Sequence, residues 1–226
     1  MVEDGRIRHS EAETANVIED EVERAKKEAA NGLLQAERVR QLILDVLDGR
    51  PFKLRPSTIL GLNRCAIEGL DSFAGNFRPG KVVIGKSTHQ PPDAHLVPEL
   101  VDDLCEYVND NWANSSSIHL AAMIMWRMNW IHPFTDGNGR TSRAVSYLVL
   151  CSHAGVVLAG SPTITELIVE NRQPYYEALE AGDREFQHEQ QLTSTTVLAM
   201  EELLTGLLAK QLRNALDAAT RNKEEL

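Results

Sequence analysis

Several marks of specialised protein classes are missing from this sequence. Its three cysteines, Cys65, Cys105 and Cys151, are widely spaced and include no Cys-x-x-Cys pair or Cys/His cluster. That argues against a disulfide framework or a zinc site and fits reduced thiols buried in helical patterns. Positive charge is scarce. With 23 Lys and Arg against 33 Asp and Glu, the formal net charge is −10, which opposes nonspecific attraction to nucleic acid or an anionic membrane. No apolar run approaches the ~20 residues of a membrane-spanning helix. The stretch from Met1 to Ser10 is charged and lacks a signal-peptide core, so the expected compartment is the cytoplasm. There is no internal repeat and no low-complexity block. What is present is an ordinary globular composition, 226 residues with 42% hydrophobic and 25% charged, enough for one sizeable core with room for a small second helical unit.

Chemistry concentrates in one stretch, His132-Pro133-Phe134-Thr135-Asp136-Gly137-Asn138-Gly139-Arg140-Thr141-Ser142-Arg143. Pro133 and Gly137-Asn138-Gly139 break any helix arriving from the N-terminal side, so the segment is a loop. The apolar run that follows, to Cys151, is helical in composition, and its N-terminal N–H groups attract anions. Arg140 and Arg143 share a face of that first turn, where the helix dipole disfavours cations by about 0.3–1 kcal/mol each. A negative group should compensate. Close-approach glycines, free N–H groups and two guanidinium forks describe a polyphosphate cradle. Asp136 is a candidate Mg²⁺ ligand beside it, and His132 is the proton acceptor.

The segment resembles the His-x-Phe-x-Asp/Glu-Gly-Asn-Gly-Arg-x-x-Arg signature of Fic (filamentation induced by cAMP) domain proteins, with each fixed position matched. The resemblance extends over about Thr58 to Leu179 and implies an all-α, mainly helical fold with a small β-hairpin flap. It implies transfer of AMP from ATP to a Ser, Thr or Tyr hydroxyl of a target protein, with Mg²⁺ and release of pyrophosphate. His132 is then the base and Asp136 holds the metal. The backbone at Gly137 and Gly139, with Asn138 and Arg140, forms the anion hole, Arg143 grips the γ-phosphate, and Phe134 anchors the loop. Tyr175 or Tyr176 stacks on adenine; adjacent helical residues point about 100° apart, so at most one does. In the family a flap aligns the target by strand addition; here it corresponds to Val82, Val83, Ile84 and Gly85, after the turn Arg78-Pro79-Gly80. A plain structural hairpin is the other reading of that segment.

Three units are expected. Residues 1–55 form a helical hairpin, one helix carrying Ile18, Val22, Ala25 and Ala29 and stopping at Asn31-Gly32, the next carrying Val39, Leu42, Ile43, Val46 and Leu47. Residues 56–182 form the core domain. Residues 183–226 form an amphipathic extension with Leu192, Met200, Leu203, Leu207 and Leu212 in one stripe, packed on the core or on a second copy in a homodimer. Many family members carry an inhibitory helix of pattern Ser/Thr-x-x-x-Glu-Gly/Asn. Ala15-Asn16-Val17-Ile18-Glu19-Asp20 is similar in its Ile-Glu pair but has Ala15, next to Thr14, and Asp20 at the ends. Glu19 is either an inhibitor that reaches Arg143 or a surface glutamate. Two further functional readings stay open, transfer of another nucleotide or phosphodiester group and a blocked nucleotide-binding regulatory module. The remaining histidines, His9, His89, His95, His119, His153 and His188, have no comparable company and are expected to be structural.

Overall fold

The computed structural model describes residues 10–11, 17–85, 87–193 and 195–224. Thr14, Ala15 and Asn16, and His9, therefore lie outside the described residues. Among them are eight α-helices: α1 (Glu21–Leu47), α2 (Pro56–Ile67), α3 (Val97–Asp110), α4 (Ser117–Ile131), α5 (Asn138–Ala154), α6 (Ile164–Glu170), α7 (Gln173–Glu189) and α8 (Leu198–Glu224). Two strands of two residues each, β1 (Ser10–Glu11) and β2 (Val83–Ile84), complete the set. The mainly helical expectation holds. No described helix is long and apolar enough to cross a membrane, and Cys65, Cys105 and Cys151 are free thiols.

The core is built around α4. Its residues from Leu120 to Met128 are buried on every side, so it reads as a central helix rather than an amphipathic one. Ser116 caps its start, accepting from the N–H of His119 at 3.0 Å, and Pro133 forbids its continuation. α5 returns antiparallel beside it, joined by Ser146 Oγ donating to the Ala121 carbonyl at 2.8 Å and Asn129 Nδ2 donating to Ser142 Oγ at 2.9 Å. The loop between them is thereby presented at one end of a rigid helical pair.

The N-terminal hairpin does not form: α1 runs unbroken through Asn31-Gly32. Val22, Ala25 and Ala29 are exposed, and the inward stripe is Asn31, Gln35, Val39 and Ile43. Asn31 is fully buried and its Nδ2 donates to the carbonyls of Ala66 and Glu68 at 3.3 and 3.0 Å, while Gln35 Nε2 donates to the Leu62 carbonyl at 2.9 Å. The Asn31 amide satisfies orphan carbonyls at the C-terminal end of α2 and Gln35 adds a bond to a carbonyl in its interior, so this part of the α1–α2 seam is polar and escaped an apolar-periodicity reading.

The other two departures are local. The expected boundary at 182/183 falls inside α7, and α8 packs on α4, α6 and α7. Leu192 and Leu212 are exposed; the inward positions are Met200, Leu204 and Gln211. Gln211 accepts from the N–H of Ile164 at 2.8 Å and donates to the Ala159 carbonyl at 3.0 Å. The flap is not a self-paired hairpin. Its one strand, β2, pairs antiparallel with β1, Ser10 opposite Ile84 and Glu11 opposite Val83.

A Cβ on Gly32 would meet nothing within 4 Å. Gly32→Ala should therefore raise stability by about 0.5–1 kcal/mol, the ordinary helix-interior difference, read from denaturant midpoints. A loss of stability would argue for a turn at that position.

Candidate active site

His132 follows α4 with φ 52° and ψ 59°, a left-handed conformation that non-glycine residues seldom adopt. Its N–H still donates to the Met128 carbonyl at 3.0 Å, so the helix closes in the turn that redirects the chain. Arg78, itself buried, fixes that turn: Nε donates to the His132 carbonyl at 2.8 Å, Nη1 to the Gly80 carbonyl at 2.8 Å and Nη2 to the Pro92 carbonyl. Its backbone N–H donates to the Pro133 carbonyl at 2.9 Å, and Phe77 stacks on Phe134 with centroids 6.1 Å apart.

Two side-chain amides hold the rest of the loop. Asn138 Oδ1 accepts from the Phe134 N–H at 2.9 Å and its Nδ2 donates to the Phe134 carbonyl at 2.8 Å. Asn63 Nδ2 donates to the Asp136 carbonyl at 3.1 Å and to Thr141 Oγ1 at 3.3 Å. Losing either would strand buried backbone groups, each costing about 1–3 kcal/mol. This corrects one expectation, since the Asn138 amide is engaged with the loop backbone rather than turned to an anion. Gly137 sits at φ 76°, and a Cβ there would lie 2.8 Å from Ile67 Cγ2. Gly139 makes room of another kind, since a Cβ would lie 3.2 Å from Arg143 Nη1.

In front of the loop lies a cavity of about 490 Å³ lined by His132, by Asp136 to Arg140, by Arg143, Arg172, Tyr175 and Tyr176, and by Arg24 and Glu28 from α1. His132 is 6% exposed, with Nδ1 3.4 Å from the Asn129 carbonyl. That neighbour selects the Nδ1–H tautomer and leaves the lone pair on Nε2. Burial pushes the imidazole down to about 3 from its ordinary 6.5; the Asn129 hydrogen bond opposes this, and the charges of Arg78 and His89 add to it. A neutral imidazole in the acceptor state is what general-base work needs.

The carboxylate of Asp136 is held by the N–H of Gly137 at 2.6 Å and by Arg140 Nη2 at 2.9 Å, with Arg24 Nη2 at 3.8 Å. Among the described residues no group of three or more His, Cys, Asp or Glu converges on a metal position. The donor set is one carboxylate, which fits Mg²⁺ taking its other ligands from phosphate and water. Arg143 is pushed below its usual range by burial, opposed by Tyr175 and reinforced by the charges of Arg172 and Arg140. With Arg24, four guanidiniums line one cavity.

Of the tyrosines, Tyr175 is buried and its hydroxyl accepts from Asn129 Nδ2 at 2.8 Å, a core position. Tyr176 is half-buried at the rim. In the flap, Val82 and Ile84 are buried and Ile84 lines the cavity, Val83 is 62% exposed, and Gly85 is half-buried. Glu19 is exposed and lies outside any helix, because Asp20 caps α1 by accepting from the Glu23 N–H at 2.8 Å. The α1 carboxylate near the loop is Glu28, 4.0 Å from Arg140 Nη1.

Sequence reasoning missed Arg24, Glu28, Asn63, Asn129, Arg172 and Asp183, all of them single polar residues in helices or at helix starts. It also set His89 aside. His89 lines the cavity, with Nε2 2.7 Å from the Trp130 carbonyl and Nδ1 3.9 Å from Asp183. The available signal was its place just before Pro91-Pro92, at the end of the flap.

The depressed pKa of His132 has a measurable consequence. On acidification the unfolded chain takes up the proton near pH 6.5 while the folded chain resists until about 3, so stability falls across that window. His132→Gln should flatten this limb in melting temperatures taken at stepped pH; an unchanged slope would mean that His132 is not buried neutral.

Residues 53–150 match the model of the Fic/DOC family. Protein adenylyltransferase fic-1 of Caenorhabditis briggsae is 30% identical over 147 residues, which cover 64% of this chain and 27% of that protein. The corresponding protein of Caenorhabditis elegans is 32% identical over 127 residues, 55% of this chain and 23% of that one. The chain thus spans about a quarter of the length of these curated relatives. Among solved structures, Fic-1 of C. elegans (residues 134–508) superposes with a TM-score of 0.69 at 21% identity, covering 91% of this chain and 55% of that one. A Fic domain containing signaling protein from Bacteroides thetaiotaomicron gives 0.66 at 22% identity, covering 84% and 72%. By helical fold, by loop and by sequence match, residues 53–150 of this chain belong to the Fic/DOC family.

Proposed function

We propose that the chain is a protein adenylyltransferase that moves AMP from ATP to a hydroxyl side chain of a target protein. The observation that carries the reading is a neutral His132 facing the same cavity as Arg140, Arg143 and Arg172. A polyphosphate is the anion those three cations suit, and a hydroxyl is the acceptor that a neutral imidazole serves. His132 Nε2 takes the hydroxyl proton as the oxygen attacks the α-phosphorus. Asp136 would hold Mg²⁺, which supplies charge neutralisation on the phosphates. The backbone N–H of Gly139, in the first turn of α5, faces the phosphates together with Arg140, while that of Gly137, the second N–H the sequence offered, is engaged by the Asp136 carboxylate. Arg143 grips the γ-phosphate, and Tyr176, with Tyr175 committed to the core, is the ring left for adenine. The flap residues Val82, Val83, Ile84 and Gly85 align the acceptor segment by strand addition.

One observation favours the second reading, a blocked nucleotide-binding module. α1 brings Arg24 to 3.8 Å from Asp136 and Glu28 to 4.0 Å from Arg140, so residues of the same chain already neutralise the groups that ATP and Mg²⁺ would use.

A cell lysate given ATP labelled on the α-phosphate separates the two. Transfer predicts labelled protein bands that drop by about 10²-fold or more in His132→Ala, the usual scale for a lost base. Silence from the wild type and from variants freed of restraint would leave the blocked module. The family's inhibitory pattern points to Glu19 acting on Arg143 as an N-terminal restraint, although Glu19 is exposed and does not line the cavity. Glu19→Gly should therefore increase labelling, and unchanged labelling would move the restraint to the Glu28–Arg140 contact.

A further inference from the structure

The charged groups around the cavity divide into two sets. Arg24, Glu28, Asp136 and Arg140 form the first. Arg140 Nη2 lies 2.9 Å from Asp136 and Nη1 4.0 Å from Glu28, while Arg24 reaches Glu28 at 3.4 Å and Asp136 at 3.8 Å. Two cations meet two carboxylates there, so the set is close to neutral within the protein itself. Arg143 and Arg172 form the second. Among the described residues neither is paired with a carboxylate. Asp183, the other carboxylate of the lining, accepts from Trp126 Nε1 at 2.9 Å and stands 3.9 Å from His89 Nδ1.

The two unpaired guanidiniums come from different helices. Arg143 is in the second turn of α5, and Arg172 immediately precedes α7 without a side-chain capping bond, at the positive end of that helix dipole. Of the like charges bearing on Arg143, Arg172 weighs more than Arg140, although Arg140 stands one turn away on the same helix. Two cations held this close repel each other, and an anion that enters between them relieves the repulsion. We infer that Arg172 completes with Arg143 a clamp for the terminal phosphate of the donor, and that this clamp selects a nucleoside triphosphate over the corresponding diphosphate. The inference rests on the proposed reading of the cavity as a nucleotide site and adds the residue that measures the length of the phosphate chain. A terminal phosphate carries close to two negative charges near neutral pH and has three acceptor oxygens, enough to take a guanidinium fork from each side. A diphosphate held at the same inner positions by the Gly139 N–H and Arg140 leaves the pair without its dianion. Arg172 lies outside the contiguous stretch from His132 to Arg143, so nothing in that motif assigns it a ligand.

Isothermal titration calorimetry with ATP and with ADP, each in the presence of Mg²⁺, tests the clamp. The titrated protein is the full chain carrying His132→Ala, so that no donor is consumed. ATP should bind more tightly than ADP by about 10-fold or more, the scale of a charge-assisted hydrogen bond. Adding Arg172→Met should bring ATP down to the ADP level and leave ADP within about twofold, which also shows that the variant is folded. Arg172→Lys should restore part of the difference, because an ammonium keeps the charge and loses the fork. A ratio that survives Arg172→Met, a loss shared equally by the two nucleotides, or binding of neither would overturn the inference. Collapse of the ratio, together with a lysate left unlabelled by the chain that retains His132, would uphold the clamp and overturn the transferase reading. Labelled lysate proteins with an unchanged ratio would do the reverse.

Discussion

The guanidinium of Arg78 donates to the carbonyls of His132, Gly80 and Pro92 and, at 3.5 Å, of Ile131, and through these bonds the flap and the loop that follows α4 become one unit. Ile131 and His132 close α4, whose last carbonyls have no partner within the helix and carry the negative end of its dipole. A cation placed there is favourable, and it offsets the cost of burial that pulls the Arg78 pKa below its ordinary value against the pull of Asp93. The same charge helps to keep the His132 imidazole neutral. One residue therefore stabilises an uncommon backbone turn, ties the flap to it and favours the neutral imidazole that the proposed transfer uses.

Electrostatics inside the cavity run opposite to the molecule as a whole. The formal net charge is −10, yet Arg24, Arg140, Arg143 and Arg172 line one space. Arg140 and Arg143 stand in the first turn or so of α5, where the dipole works against them by about 0.3–1 kcal/mol each. Asp136 at 2.9 Å and Glu28 at 4.0 Å offset this for Arg140. Arg143 instead meets the like charges of Arg172 and Arg140. A group of cations held together in this way favours an arriving anion through relief of repulsion as well as through direct hydrogen bonds.

How much of this was legible in the sequence depends on the kind of interaction. The loop from His132 to Arg143 could be read because proline and glycine punctuate it and because its chemistry is contiguous. The central α4–α5 pair could be read because Pro133 and Gly137 force the reversal. The polar seam of α1 could not, since Asn31 and Gln35 face inward to serve α2 carbonyls that are 27–37 residues away in sequence. For the same reason Arg24, Glu28, Asn63 and Arg172 were invisible, each being an isolated polar residue whose meaning depends on a distant partner. The pairing of β2 failed for a related cause: the flap has the apolar run of a strand, but its partner is Ser10–Glu11, more than seventy residues earlier by the register Ser10 to Ile84.

That remote pairing bears on how acceptor choice can work. Arg78 grips carbonyls at Gly80 and Pro92, on either side of β2, while also gripping His132. Any extended segment that pairs with β2 is therefore placed relative to His132 through backbone hydrogen bonds, before its side chains are consulted. Under the proposed transfer, selection of the acceptor then depends chiefly on register. Because side chains alternate along a strand, a hydroxyl residue must fall opposite Ile84 and not opposite Val83 to share the face that borders the cavity. Under that reading the site accepts many sequences but few alignments. Ser10–Glu11 of the same chain already holds that edge through backbone pairing, so under the proposed transfer a foreign acceptor must displace a competitor that is covalently attached.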